Sequence, residues 1–177
     1  MISMSSRRKP GFRNEYWGPT GFFPPQIVPC IEVIPADATD ANVVDTIISM
    51  YKQLGKAPTP CKSSPGFVAN RIQFAMAAEA LKIIEEGLAS PEELDTIVKT
   101  SFGFRLGAYG PCEIIDQAGL DVYSAIFDYF YKKFQRDQFK KPKLLTDLVE
   151  KNHYGLKNGK GFYEYEGDAQ TKMRQQR

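Results

Sequence analysis

A proline-glycine turn at Pro65-Gly66, followed at once by a long apolar run, divides this chain into two kinds of sequence. From Phe67 to Gly87 the residues suit a helix with Val68, Ile72, Phe74, Met76, Leu81, Ile83 and Ile84 spread over most of its faces. Such a helix belongs at the centre of its domain or against another subunit. Sequence before the turn has strand texture, and sequence after it is helical to near the end.

Ahead of the turn, Ile27 to Ile34 is β-branched and apolar apart from Glu32, the pattern of a buried strand. Thr39 offers a cap oxygen, and Val43, Val44, Ile47, Ile48, Tyr51 and Leu54 then recur at helical spacing until Gly55 ends the helix. Ala57 to Lys62 reads as a short strand that Pro58 and Pro60 confine to a sheet edge. Strand, helix and strand form a scrap of an α/β domain, with no sheet large enough to stand alone. Fast amide exchange is therefore expected across Ile27 to Leu54.

Beyond the turn, Ser90-Pro91-Glu92-Glu93 is a capping box with proline at the first helical position. Gly103 to Gly110 reads as a loop, and Pro111 opens a short helix with Ile114 and Ile115. Leu120 to Phe134 forms a long aromatic helix, and Lys143 to Lys151 a last one. A glycine-punctuated loop leads to a short aromatic strand, Gly161 to Tyr165, and a polar tail. The boundaries expected are a disordered leader at 1–19, a strand-helix-strand piece at 20–62, a helical domain at 63–166 and a tail at 167–177. The leader, basic and serine-rich to Asn14, is read as disordered in preference to a presequence, because Pro10 and Gly11 interrupt any amphipathic helix.

Composition narrows the function. Apolar residues make up 42% of the 177, enough for a core. A net charge of +2 argues against nucleic-acid binding. Cys30, Cys61 and Cys112 are far apart and unmotifed, so buried thiols are expected and disulfides are not. With His153 the one histidine and no cysteine pair beside it, no metal site is expected. No apolar run approaches the ~20 residues of a membrane span. The compartment stays open between cytoplasm and mitochondrion.

Four stretches in order carry a family resemblance. Gly55-Lys56-x-Pro58 with Pro65-Gly66-Phe67-Val68-x-Asn70-Arg71 is the first. Glu79-Ala80 through Glu85-Glu86-Gly87-x-Ala89-Ser90-Pro91-Glu92-x-x-Asp95 is the second. Gly103-Phe104 with Gly110-Pro111-x-Glu113-x-x-Asp116-x-x-Gly119-Leu120-Asp121 is the third. Gly155-x-Lys157-x-Gly159-Lys160-Gly161-Phe162-Tyr163-x-Tyr165 closes the set. From about Thr20 to Tyr165 the chain resembles the carboxyl-terminal part of the 3-hydroxyacyl-CoA dehydrogenases. The resemblance implies a mainly α fold: the helical domain of the 3-hydroxyacyl-CoA dehydrogenase and 6-phosphogluconate dehydrogenase C-terminal-like type, preceded by a β-α-β remnant of a Rossmann domain. It also implies NAD as cofactor, acyl-CoA bound between two domains, a homodimer formed by the helical domain, and a step of fatty-acid β-oxidation.

Site residues follow from the same resemblance. In the family a histidine precedes a phenylalanine-asparagine-proline run, and a glutamate twelve residues later orients it. The glutamate matches Glu32, which places Thr20 at the histidine position and Phe23 at the asparagine; with one residue lost, Gly21 takes the place instead. Neither Thr20 nor Gly21 is a base near neutral pH, and losing a general base costs ~10²–10⁴ in rate. Asn70 matches the asparagine that holds the thioester oxygen and the histidine. The simpler uses are a partner amide or lysine for Glu32, and a helix cap for Asn70. His153 is expected to be an exposed residue after a helix. Lys157 and Lys160 are read as parts of a turn seating Phe162 and Tyr163 on the core, ahead of contacts to a CoA phosphate.

A dinucleotide cradle needs a G-x-G-x-x-G turn between strand and helix. These 177 residues contain none. The leading expectation is a truncated dehydrogenase chain, inactive alone and not binding NAD. The alternatives are a non-catalytic dimerisation or acyl-CoA-binding module, and a subunit that borrows a nucleotide domain.

Overall fold

The computed structural model describes residues 17–22 and 24–167. Most of the expected leader, Phe23 and the tail from residue 168 lie outside these. The chain divides into two compact units, Met1–Leu88 and Ala89–Arg177.

The first unit is built on a three-stranded sheet in the order β1 (Trp17–Gly21), β2 (Cys30–Ile34), β3 (Ala57–Pro60). β1 runs antiparallel to β2, and β3 runs parallel to β2 across the helix α1 (Ala41–Gln53). β1 lies partly in the stretch read as leader, and its pairing changes the status of β2. β2, read from sequence as a buried strand, sits in the middle of the sheet, with Ile31, Glu32, Val33 and Ile34 all buried. Lys56 holds the turn between the first two strands, its Nζ donating to the Pro25 and Val28 carbonyls.

Two local readings need correction. The α1 cap is Asp40, whose side chain accepts from the Asn42 amide. Thr39 instead takes the Ala36 amide on its hydroxyl, closing the preceding turn. α2 (Ala69–Glu85) follows the Pro65-Gly66 turn as expected, yet none of its residues is buried, and Phe74 and Leu81 are 62% and 63% exposed.

The second unit is helical: α3 (Pro91–Thr100), α4 (Phe102–Leu106), α5 (Pro111–Ala118), α6 (Leu120–Phe134), a 3-10 turn at Asp137–Phe139 and α7 (Lys143–Glu150). The capping box forms, with Ser90 Oγ accepting from Glu93 N and Glu93 Oε2 from Ser90 N. α4 occupies sequence read as a loop; Gly103 fits there because a Cβ would strike the Val98 carbonyl. The closing strand is absent. Gly155, Lys160 and Glu164 form isolated bridges, since the chain is bound to a side chain of α5 instead of to another strand.

Asp116 is that side chain. It is fully buried, and its carboxylate accepts from the Phe162 amide (2.9 Å), the Tyr163 amide (3.0 Å) and the Tyr165 hydroxyl (2.8 Å). Its carbonyl accepts from Leu156 N. A Cβ at Gly161 would fall inside the Asp116 carboxylate, and one at Gly155 inside its backbone. The glycines of the closing motif therefore clear space for Asp116. Ile114, Leu120, Leu145 and Leu156 complete the buried apolar set of this unit.

Candidate functional site

The residues singled out in the sequence gather where β1, β2 and the start of α2 meet. Alternation along β2 puts Glu32 on the face opposite Ile31 and Val33. Glu32 is 4% exposed, and its Oε1 accepts from the Val68 amide at 2.9 Å and the Ala69 amide at 3.1 Å. Val68 is the cap residue of α2, and no side chain of its own segment caps the helix. A carboxylate from β2 thus meets orphan donors at the positive end of the helix dipole.

Backbone geometry makes this possible. Gly66 and Phe67 both have positive φ, 78° and 52°. The conformation is ordinary for glycine and uncommon for a bulky residue. Consecutive left-handed residues turn the chain so that the next two amides point to Glu32. Of the two simpler uses weighed for Glu32, backbone amides are its partners and lysine is not. Asn70 lies in the first turn of α2, half-buried, and it is not the cap.

Thr20 pairs with Glu32 across the β1–β2 ladder. Among the described residues, Thr20 Oγ1 and Glu32 Oε2 are buried without a hydrogen-bond partner. Gly21, the other position considered, pairs with Ile31 and so faces the other side. Structure thus brings Thr20, Glu32 and the helix turn carrying Asn70 to one corner.

The other candidates lie elsewhere. His153 is half-buried, with Nδ1 3.3 Å from the Gly161 carbonyl oxygen. Lys157 Nζ bonds both oxygens of Asp121, at 2.7 and 2.8 Å, and this pair holds the Asp121 carboxyl below its ordinary range. Phe162 is half-buried but Tyr163 points out, so only one of that pair meets the core. Burial, then the charge of Glu32, pushes the Cys30 and Cys61 thiols up, which leaves them poor nucleophiles. Sequence reasoning passed over Asp116 as an anchor; an acid beside Ile114 and Ile115 in a short apolar helix was its signal.

Among the described residues, neither strand-to-helix turn suits a nicotinamide dinucleotide. The turn from β2 to α1 has no glycine, and carries Asp37 and Asp40, the latter already on the helix N-terminus. The turn from β3 to α2 leads to amides held by Glu32. Pyrophosphate needs free amides and no competing carboxylate. Among the described residues there is also no cluster of metal-binding side chains, and no helix long and apolar enough to cross a membrane.

Comparison with known proteins identifies the family. Residues 66–165 match the 3-hydroxyacyl-CoA dehydrogenase C-terminal domain, and residues 16–64 match the NAD binding domain of the same family. The mitochondrial hydroxyacyl-coenzyme A dehydrogenase of Sus scrofa is 34% identical over 145 residues, covering 81% of this chain and 45% of its own. A 3-hydroxybutyryl-CoA dehydrogenase of Clostridioides difficile is 35% identical over 144 residues, 81% of this chain and 50% of its own. The crystal structure of a 3-hydroxyacyl-CoA dehydrogenase from Archaeoglobus fulgidus superposes with a TM-score of 0.78 at 32% identity, covering 89% of this chain and 55% of that one. The chain spans about half the length of the curated relatives it matches. Mainly helical, with a small three-stranded sheet, it belongs to the 3-hydroxyacyl-CoA dehydrogenase family.

Proposed function

We propose that this chain supplies the substrate side of an NAD-dependent 3-hydroxyacyl-CoA dehydrogenase, acting on the 3-hydroxyl of an acyl-CoA in fatty-acid β-oxidation, and that alone it neither holds NAD nor turns over. One observation carries the proposal. Glu32 is bound to the first turn of α2, which bears Asn70, with Thr20 across the ladder. Glu32 and Asn70 are the polar anchors of this reading. Thr20, at the proton-transfer position, has a hydroxyl with no acid-base range near neutrality. The reading partitions the chain into a Rossmann-type piece at 20–62 and a C-terminal-like helical domain at 63–166, in keeping with the two family matches.

Calorimetric titration of the purified 177 residues with NAD and with acetoacetyl-CoA tests the proposal, repeated after adding a separately produced nucleotide-binding half of a relative. Expected are no NAD binding by the chain alone, and acetoacetyl-CoA binding that strengthens with the added half. NAD binding or NADH formation by the chain alone overturns the division of labour. No thioester binding under either condition overturns the substrate-side role.

The apolar residues left exposed on α2, Ile72, Phe74 and Leu81 among them, favour a dimerisation module as the second reading. Light scattering decides it: a dimer without thioester affinity selects this reading, and a monomer removes it.

A further inference from the structure

From Lys132 to Lys143 the chain carries six cations, Lys132, Lys133, Arg136, Lys140, Lys141 and Lys143, against one acid, Asp137. The whole chain nets only +2, so the residues outside this stretch are acidic in sum. The stretch joins the end of α6, the 3-10 turn and the start of α7. Exposed rings lie among these charges: Tyr129 is 57% and Phe134 46% exposed. Phe130, Phe134 and Phe139 form a triangle with centroids 5.2–5.7 Å apart, and Tyr129 is 5.9 Å from Phe130. Lys133 sits over the Tyr129 ring at 5.9 Å, and Arg136 over that of Phe134 at 5.3 Å. Rings and cations thus make one continuous patch on the second unit.

We propose that this patch docks the chain onto an anionic lipid surface, the rings entering the headgroup layer and the cations meeting headgroup anions. Clustered basic residues draw a protein to an anionic leaflet, and aromatic rings anchor at the boundary between headgroups and acyl chains. Docking of this kind lies on the membrane and needs no spanning helix, in keeping with the described residues. A nucleic acid suits the patch less well. Bases need open ring faces, and Lys133 and Arg136 already cover faces of Tyr129 and Phe134. Lys141 and Lys143 are held by Asp128 and Asp147, so the exposed Lys132, Lys133 and Lys140 supply most of the attraction. The dock stands apart from the reaction proposed above and does not depend on it.

Sedimentation of the 177-residue chain with lipid vesicles tests it, using phosphatidylcholine alone and with about 30% phosphatidylserine, at about 0.1 M salt. Expected is binding to the anionic vesicles only, weakened about tenfold or more in the double variant Lys133→Glu, Lys140→Glu and several-fold in Phe134→Ser. The double variant Lys52→Glu, Lys62→Glu makes the same change in net charge on the first unit and is expected to alter binding less than about twofold. All four lysines are exposed, so both double variants stay folded, and circular dichroism verifies this. Phe134→Trp is expected to shift its emission to the blue on anionic vesicles, as a ring entering lipid does. No sedimentation with anionic vesicles, equal sedimentation with phosphatidylcholine alone, equal losses in the two double variants, or tighter binding to polyuridylate overturns the proposal.

Discussion

Glu32 Oε1 in β2 accepts a 2.9 Å hydrogen bond from the amide of Val68, the residue that opens α2. A capping carboxylate normally comes from the residue before its helix; here it comes from a strand 36 residues away. Phe67, with its left-handed φ of 52°, immediately precedes these amides.

Replacing Glu32 tests this cap. Glu32→Ala strands the Val68 and Ala69 amides and is expected to cost about 1–2 kcal/mol. Glu32→Gln retains a neutral acceptor and is expected to cost less than half as much. Urea denaturation gives the energies, and amide exchange locates them in the first turn of α2. An alanine variant as stable as the parent would show that the bare Oε2 costs as much as the cap contributes.

Thr20→His places an imidazole opposite Glu32. Burial lowers a histidine pKa and a facing carboxylate raises it. Because Oε2 is free to accept, the carboxylate is expected to win, giving titration above the ordinary value of about 6.5. Ring-proton NMR against pH measures it. Titration below that value means that burial outweighs the carboxylate at this position.

Asp116 serves the second unit as Glu32 serves the first. Asp116→Asn would set an N–H₂ against a backbone N–H and is expected to cost about 3 kcal/mol, visible as a lower thermal midpoint. Tyr165→Phe removes one of the three donors, for about 1 kcal/mol. Burial first, and then the hydrogen bond to Asp116, pushes the Tyr165 hydroxyl well above its ordinary 10.0. A neutral phenol is thus favoured in the fold. That stabilisation is complete below pH 10 and is lost as pH rises from there through the folded-state value. The parent should lose stability above pH 10 more steeply than Tyr165→Phe. Parallel alkaline profiles would refute the assignment.

Amide exchange separates the strands from the helix that joins them. Ile31 to Ile34 are buried between two partners, so they are expected to exchange more slowly than α1, none of whose residues is buried. Uniformly fast exchange over 27–54 would restore the expectation formed without β1.

Much of the helical architecture was legible in advance because its signals are local. The Ser90 capping box, the Gly55 and Gly87 positive-φ terminators and the proline at the start of α5 each act within a few residues. Local signals misled where two neighbours competed, as with Thr39 and Asp40, or where a short helix such as α4 hid between glycines.

What sequence by itself determined was the family and the succession of the longer helices, which depend on spacing along the chain, whereas β1 and its pairing of Thr20 with Glu32 came only from the tertiary structure. Tertiary structure alone decided which oxygens are satisfied. Glu32 meets α2, and Asp116 meets the closing loop, through contacts 36 to 49 residues apart. A carboxylate's partners are set by where the backbone places donors in space, and no periodicity records that.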